Sequence, residues 1–259
     1  MCTLTLVTQK DGYLLAMNRD EKIVRSAGTI PEAHEFDGTR VLYPGDGSGG
    51  TWIAANEHGI ALALLNWNDP APSLAATSQP QSRGQLIPAL ADSRSMAELL
   101  AAMNVLDLDH ILPFRMVGVF PAERAVQEWR WNSKSLNVAT HTWESRHWFS
   151  SSLSDEEALG LRGATCHTSW NEPDAGSSAW LRRLHASHTD GSGAFSICVH
   201  RDDVRTLSYT EICCTSSKIE VEHFIGSPCT TKQSHSATMQ RAATPVLATP
   251  AQPPALHPC

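Results

Sequence analysis

The sequence holds no apolar run long enough to span a bilayer. Its first residues carry neither the basic stretch nor the apolar segment of a secretory signal. Stable membrane insertion is therefore not expected, and a cytoplasmic location is. There is no Cys-x-x-Cys pair, which removes the usual frame of a structural zinc site or an attached haem. There is no Asn-x-Ser/Thr glycosylation acceptor either. Basic charge is in deficit: 20 Lys and Arg against 27 Asp and Glu leave a net charge of -7. That balance argues against nucleic acid or an anionic membrane as a partner. The seven cysteines are odd in number and show no disulfide framework, so reduced thiols in a cytosol-like compartment are expected.

What is present reads as strands in pairs. Residues 2–8 alternate, with Thr3, Thr5 and Val7 on one side and Leu4 and Leu6 on the other. Lys10-Asp11-Gly12 supplies an Asp-Gly turn, and 13–17 reads as the returning strand. An antiparallel hairpin sets its two ends side by side. Cys2 is thus expected beside the polar run Asn18-Arg19-Asp20-Glu21. A second hairpin is expected from 52–55 and 60–66 around Asn56-Glu57-His58-Gly59, its second strand apolar on both faces and so buried on both.

Helices are expected over 83–91, over 95–103 with Ser95 and Glu98 as a capping box, from Ser154 onward, and over 177–188. Further strands are expected at 115–120, 125–131, 147–152, 195–200, 206–215 and 218–224. Residues 22–50 read as mostly loop and 69–82 as a mobile Pro/Ala/Ser-rich loop. Residues 230–259 read as a disordered Pro/Ala/Thr-rich tail after a single domain over 1–229. Hairpins, then helices, then hairpins point to an α+β fold with antiparallel sheets, not a doubly wound parallel sheet.

Three motif matches fail on context. Gly45-Asp46-Gly47-Ser48-Gly49-Gly50 fits a dinucleotide pattern that needs a helix after it, and here a strand follows. An extra glycine in the same stretch breaks its likeness to a serine-protease motif. His200-Arg201-Asp202 lacks the downstream Asn of a kinase catalytic loop.

Cys2 is different. Removal of Met1 leaves a residue with both a thiol and a free α-amine, whose reference pKa values are about 8.5 and roughly 7.7–8.0. The amine can serve as base for its own side chain, the arrangement of an N-terminal nucleophile. The bland alternative is a small buried residue, since free cysteines are among the most buried types. Around Cys2, the Asp20 carboxylate could fix the ammonium, the Arg19 guanidinium could lower the thiol pKa, and the amide of Asn66 could donate to an oxyanion. The alternatives are a solvated charge cluster and a turn residue. Ser150-Ser151-Ser152 offers amides and hydroxyls to the same site, or is a loop.

The stretches "MCTL…GYLLAMNRDE", "GGTWIAANEHGIALALLN", "SRG" and "HRDD…TLSYTEI…GSPC", in this order, resemble the NRDE family, also called the Transport and Golgi organisation family, as far as Cys229. The resemblance implies an N-terminal-nucleophile hydrolase-like fold, a four-layer αββα sandwich. Its wider superfamily includes cysteine amidases that cleave linear amides with an N-terminal Cys supported by Arg, Asp and Asn. Cys2, Asn18, Arg19, Asp20 and Asn66 are the catalytic residues carried over, for an amidase or acyltransferase on a small acyl or amide substrate.

The amidases place Arg three residues before Asp; here Arg19 and Asp20 are adjacent, so a regular strand sends them to opposite faces, with Asn18 and Asp20 sharing one. Ser151 or Ser152 stands roughly where a second Asn would fall, and Arg201 is a candidate late arginine. Relatives linked to secretory organisation, lipid metabolism and haem trafficking give a second expectation, a carrier of a small ligand such as haem or lipid. In that case Cys2, His58 or His200 would be an axial ligand. The partner in either case is a small molecule, no resident cofactor or metal is expected, and the oligomeric state stays open.

Overall fold

Alternation along the first two strands sets the architecture. In β1 (Cys2–Gln9), Leu4 and Leu6 turn to one side of the sheet and Val7 to the other. In β2 (Gly12–Lys22), Leu15 and Met17 share the side of Leu4, while Leu14 and Ala16 share that of Val7. Both sides are buried, so each must be covered by another layer. The computed structural model describes residues 2–68, 81–189 and 191–242.

Two antiparallel sheets supply the inner layers. The second sheet runs in chain order through β3 (Pro31–Phe36), β4 (Thr39–Pro44), β5 (Ile53–Asn56), β6 (Ala61–Asn66), β7 (Phe114–Phe120), β8 (Ala125–Trp131) and β9 (Leu136–Thr142). The first adds β10 (Arg146–Ser150), β11 (Val204–Cys214), β12 (Lys218–Ile225) and β13 (His235–Gln240), in the order β10-β1-β2-β11-β12-β13. Leu4, Leu15 and Met17 of one sheet meet Ala61, Ala63 and Leu65 of the other in the central core. As expected, β6 is buried on both faces, because Leu62 and Leu64 point outward to a helix layer.

That layer is a 3-10 turn (Arg83–Gln85), α1 (Leu86–Leu90) and α2 (Met96–Val105), packed through Leu86, Ile87, Leu90, Leu99 and Met103. Ser95 caps α2 by accepting from the Glu98 amide. On the other sheet lie α3 (Asp155–Ser169) and α4 (Ser178–His185), contributing Ala158, Cys166, Trp180, Leu181 and Leu184. The layers are αββα, the sandwich implied by the family resemblance. No described helix is long and apolar enough to cross a membrane.

Four expectations are corrected. Residues 22–50 are not mostly loop: 31–36 and 39–44 pair as β3 and β4. Residues 136–142 form β9, which the sequence did not suggest. The tail does not start at 230, because 235–240 pairs with β12 as β13; 243–259 lie outside the described residues. Residues 195–200 are an irregular buried segment, not a strand. The loop at 69–82 lies outside the described residues up to position 80. Three of these missed strands, β3, β9 and β13, are sheet edges. An edge strand is half solvated and keeps polar residues, so it lacks the apolar alternation of an inner strand.

Candidate active site at the amino-terminal cysteine

The first hairpin brings Cys2 opposite Arg19, and β10 brings Ser150 to its other side. Residues directly opposite in a ladder project to the same face. Cys2 therefore shares with Arg19 the face that looks between the sheets, where Cys2 joins the central core. Here a cavity of about 360 Å³ opens, with Cys2, Arg19, Asp20 and Asn66 in its wall, together with Trp52 and Arg83. Arg19 is nearly buried, lies 4.6 Å above the Trp52 ring, and donates to Ser26 O. Arg83 donates to Pro113 O at 2.9 Å. Among the described residues, neither Arg19 nor Arg83 has a carboxylate within salt-bridge distance. Among the described residues, two cations outside any salt bridge thus border the space beside the thiol, with Glu21 and Asp46 in the same wall.

Asp46 lines the same cavity in the glycine-rich loop. Its carboxylate accepts from the amides of Ser48 and Gly50 and from the Ser48 hydroxyl. Those bonds hold its carboxyl below the usual range although burial pushes the other way. The loop that matched a dinucleotide pattern is thus folded around its own aspartate.

The opposite face of β2 is a different environment. Asp20 turns there, fully buried, and its Oδ1 accepts from the Thr206 hydroxyl at 2.6 Å. Its Oδ2 lies 3.6 Å from Nη2 of Arg162, and both side chains are 0% exposed. Arg162 also donates to Cys2 O at 3.2 Å, Thr3 Oγ1 at 3.0 Å and Ala194 O at 3.2 Å. Burial pushes the Asp20 carboxyl up, and the Arg162 guanidinium and Thr206 hydroxyl pull against it. Burial likewise pushes the Cys2 thiol up, helped by the Asp20 carboxylate and opposed by the amino-terminal charge, the Asp20 backbone amide and the Arg19 guanidinium.

Of the five residues expected at the site, Cys2, Arg19 and Asn66 line one cavity, Asp20 borders it with its side chain turned to the opposite face, and Asn18 does not reach it. Asn18 is fully buried, and its amide donates to His185 O at 2.8 Å and Ile197 O at 2.9 Å. Its work is to satisfy carbonyls of α4 and of the irregular 186–203 segment, which has few ladder partners of its own. Arg19 and Asp20 do point to opposite faces, and the face that Arg19 takes is that of the thiol. Ser151 accepts from the amides of Leu153 and Ser154 ahead of α3. Arg201 bonds to Asp203 outside the cavity. His58 sits in the β5–β6 turn and His200 elsewhere, so neither shares the cavity with Cys2.

The sequence reading missed Arg162, although a signal existed. The buried positions of α3 are Ala158, Arg162, Cys166 and Ser169, and their spacing puts the arginine on the inward stripe.

The family model for Transport and Golgi organisation 2 matches residues 1–214. The chain belongs to that family. The family match ends with the last residue of β11, so β12 and β13 complete the first sheet beyond it. Among solved structures, a mutant of the conjugated bile acid hydrolase from Clostridium perfringens is similar, with a TM-score of 0.49 at 13% identity. That match covers 92% of this chain and 92% of the hydrolase. Penicillin V acylase from Agrobacterium tumefaciens gives 0.48 at 12% identity, over 85% of this chain and 82% of the acylase. A comparison with curated proteins gives no match.

Proposed function

We propose that this member of the Transport and Golgi organisation 2 family is a cysteine N-terminal-nucleophile hydrolase or acyltransferase acting on a small amide or related acyl compound. The observation that carries the reading is the convergence of Cys2, Arg19 and Asn66 on one cavity at the end of the first strand, backed by the buried Asp20–Arg162 pair. A buried cysteine with a packing role alone needs neither two cations facing it nor a buried ion pair behind it.

After removal of Met1, the α-amine of Cys2 takes the thiol proton and the thiolate adds to the substrate carbonyl carbon. The negative charge that develops on the carbonyl oxygen is met by the Asn66 side-chain amide. Collapse expels the leaving amine, which takes the proton back from the ammonium, and a thioester on Cys2 remains. Water, activated by the same amine, then releases the acid; a second amine in place of water completes acyl transfer. Asp20 stands at the strand end to hold the ammonium in place. Arg19 and Arg83 share the cavity wall with Glu21 and Asp46, and their guanidinium groups are the ones to favour the thiolate and to meet a substrate carboxylate.

The test is trapping. The full chain with Met1 removed is incubated with a panel of acyl amides and thioesters, quenched in acid and weighed intact. An acyl adduct mapped to Cys2 and absent in Cys2→Ala is the expected result. A panel hydrolysed equally by the Cys2→Ala protein would end the reading.

A further inference from the structure

Behind Asp20 lies a second group of reactive side chains. His188 follows α4, Cys198 and His200 flank Val199 in the irregular segment 186–203, and Cys229 follows β12. The ligand atoms of all four lie within 4.8 Å of one another. Nε2 of His200 is 3.5 Å from Sγ of Cys198 and 3.2 Å from Sγ of Cys229, and the rings of His188 and His200 stand edge to face at 5.0 Å.

Zinc holds thiolates at about 2.3 Å and imidazoles at about 2.0–2.1 Å in a tetrahedron, which sets sulfur and nitrogen about 3.6 Å apart. The two sulfur separations from His200 fall near that value. We propose that His188, Cys198, His200 and Cys229 form a closed structural zinc site. Two thiolates and two imidazoles in a tetrahedral arrangement select zinc over the oxygen-seeking magnesium and calcium. Each thiol gives its proton to solvent as the metal binds, and no electron is transferred. All four positions are taken by protein, so the ion is a staple and not a Lewis acid.

The staple has a purpose in this fold. Residues 196–199 are buried without a strand ladder, and the carbonyls of Ala194 and Ile197 receive Arg162 and Asn18. Val199 donates its amide to Thr206 Oγ1, whose hydroxyl in turn donates to Asp20. On the other side, Ser227 donates to Thr206 O. A metal joining Cys198 and His200 to Cys229 fixes both segments that hold Thr206, and so the wall behind the candidate nucleophile. The absence of a Cys-x-x-Cys pair pointed away from zinc, because the ligands here come from separated stretches that only the fold brings together.

The test uses the untagged full chain, purified in reductant without chelator, with metal measured by inductively coupled plasma mass spectrometry. One zinc per chain is expected. His188→Ala at an exposed site and Cys229→Ser at a half-buried one should retain the native circular dichroism spectrum and lose at least tenfold of the zinc after dialysis. Replacement of zinc by cobalt(II) should give the intense visible bands of a tetrahedral centre with thiolate charge transfer, absent in Cys229→Ser. A metal-free chain, a different stoichiometric metal, variants that keep their zinc, or a Cys198–Cys229 disulfide in the intact mass would each overturn the proposal.

Discussion

Arg19 and Arg162 approach the end of β1 from opposite faces of one sheet. Arg19 lies over Trp52 at the cavity, with no carboxylate at salt-bridge distance among the described residues. Arg162 is sealed in the interior, shared among Asp20, three backbone carbonyls and Thr3. The first is placed to act on whatever enters the cavity. The second cannot touch a ligand and can only hold the strand end and its aspartate in position. The comparison teaches that a charged residue near a nucleophile takes its role from the face it occupies, not from its distance along the chain.

The largest effect should come from breaking the interior side. Arg162→Met takes from the buried Asp20 its Arg162 guanidinium, a loss of about 3–5 kcal/mol in urea unfolding. Arg19→Met removes one ring contact and one hydrogen bond, about 1–2 kcal/mol. If Arg19→Met proved the more destabilising, the contrast would collapse.

Acid should act on both faces of that sheet, since burial depresses His223 beside Trp52 to about 4, and most strongly on the helix side, which carries two such groups. There His147 and His185 both bond to Thr5 Oγ1, at 3.0 and 2.9 Å. Burial depresses them to about 4 and about 3. A depressed histidine binds protons more weakly folded than unfolded, so its contribution is complete above the ordinary value of about 6.5 and is lost as pH falls toward 4 and then 3. Urea midpoints should therefore fall across that window, and His147→Gln should flatten the upper part of the slope. A midpoint constant from pH 6.5 to 4 contradicts this.

The cavity face should respond in alkali. The Cys2 thiol is raised by burial and lowered by Arg19. The folded state therefore favours the neutral thiol, and its contribution is present below the ordinary thiol pKa and lost as pH rises through the raised one. Arg19→Gln should shift the alkylation midpoint of Cys2 further up. An unchanged midpoint would mean that the guanidinium does not act on the thiol.

The smallest effect expected is one of selectivity. The two cavity arginines should make anionic iodoacetate react with Cys2 faster, relative to neutral iodoacetamide, than it does with free cysteine. Arg83→Gln should lower that ratio a few-fold. An equal ratio in both proteins would remove Arg83 from the substrate-facing set.

Much of this was legible in the sequence where burial on both faces or a local turn leaves a pattern. The Asp11-Gly12 turn fixed the pairing of Cys2 with Arg19, the apolar run of β6 placed Asn66, and Ser95 marked the start of α2. Edge strands such as β3 and β13 were not legible, since half of each faces water. The segment at 195–200 read as a strand because it is apolar, yet its backbone is satisfied by Asn18, by Thr206 and by bonds to Ser187, Ser192 and Gly193 in place of a ladder. Asn18 sits next to Arg19 in sequence and was grouped with it, but strand alternation turns it to the helix side, where it serves the fold.

The central claim is that Cys2 is an activated amino-terminal nucleophile. The most direct measurement is the intact mass of the purified chain before and after brief exposure to iodoacetamide, with peptide mapping. The account predicts loss of Met1 and rapid labelling at Cys2 alone, ahead of the buried thiols Cys166 and Cys214 and the half-buried Cys213. Retained Met1, or a Cys2 no faster than those thiols, would contradict it.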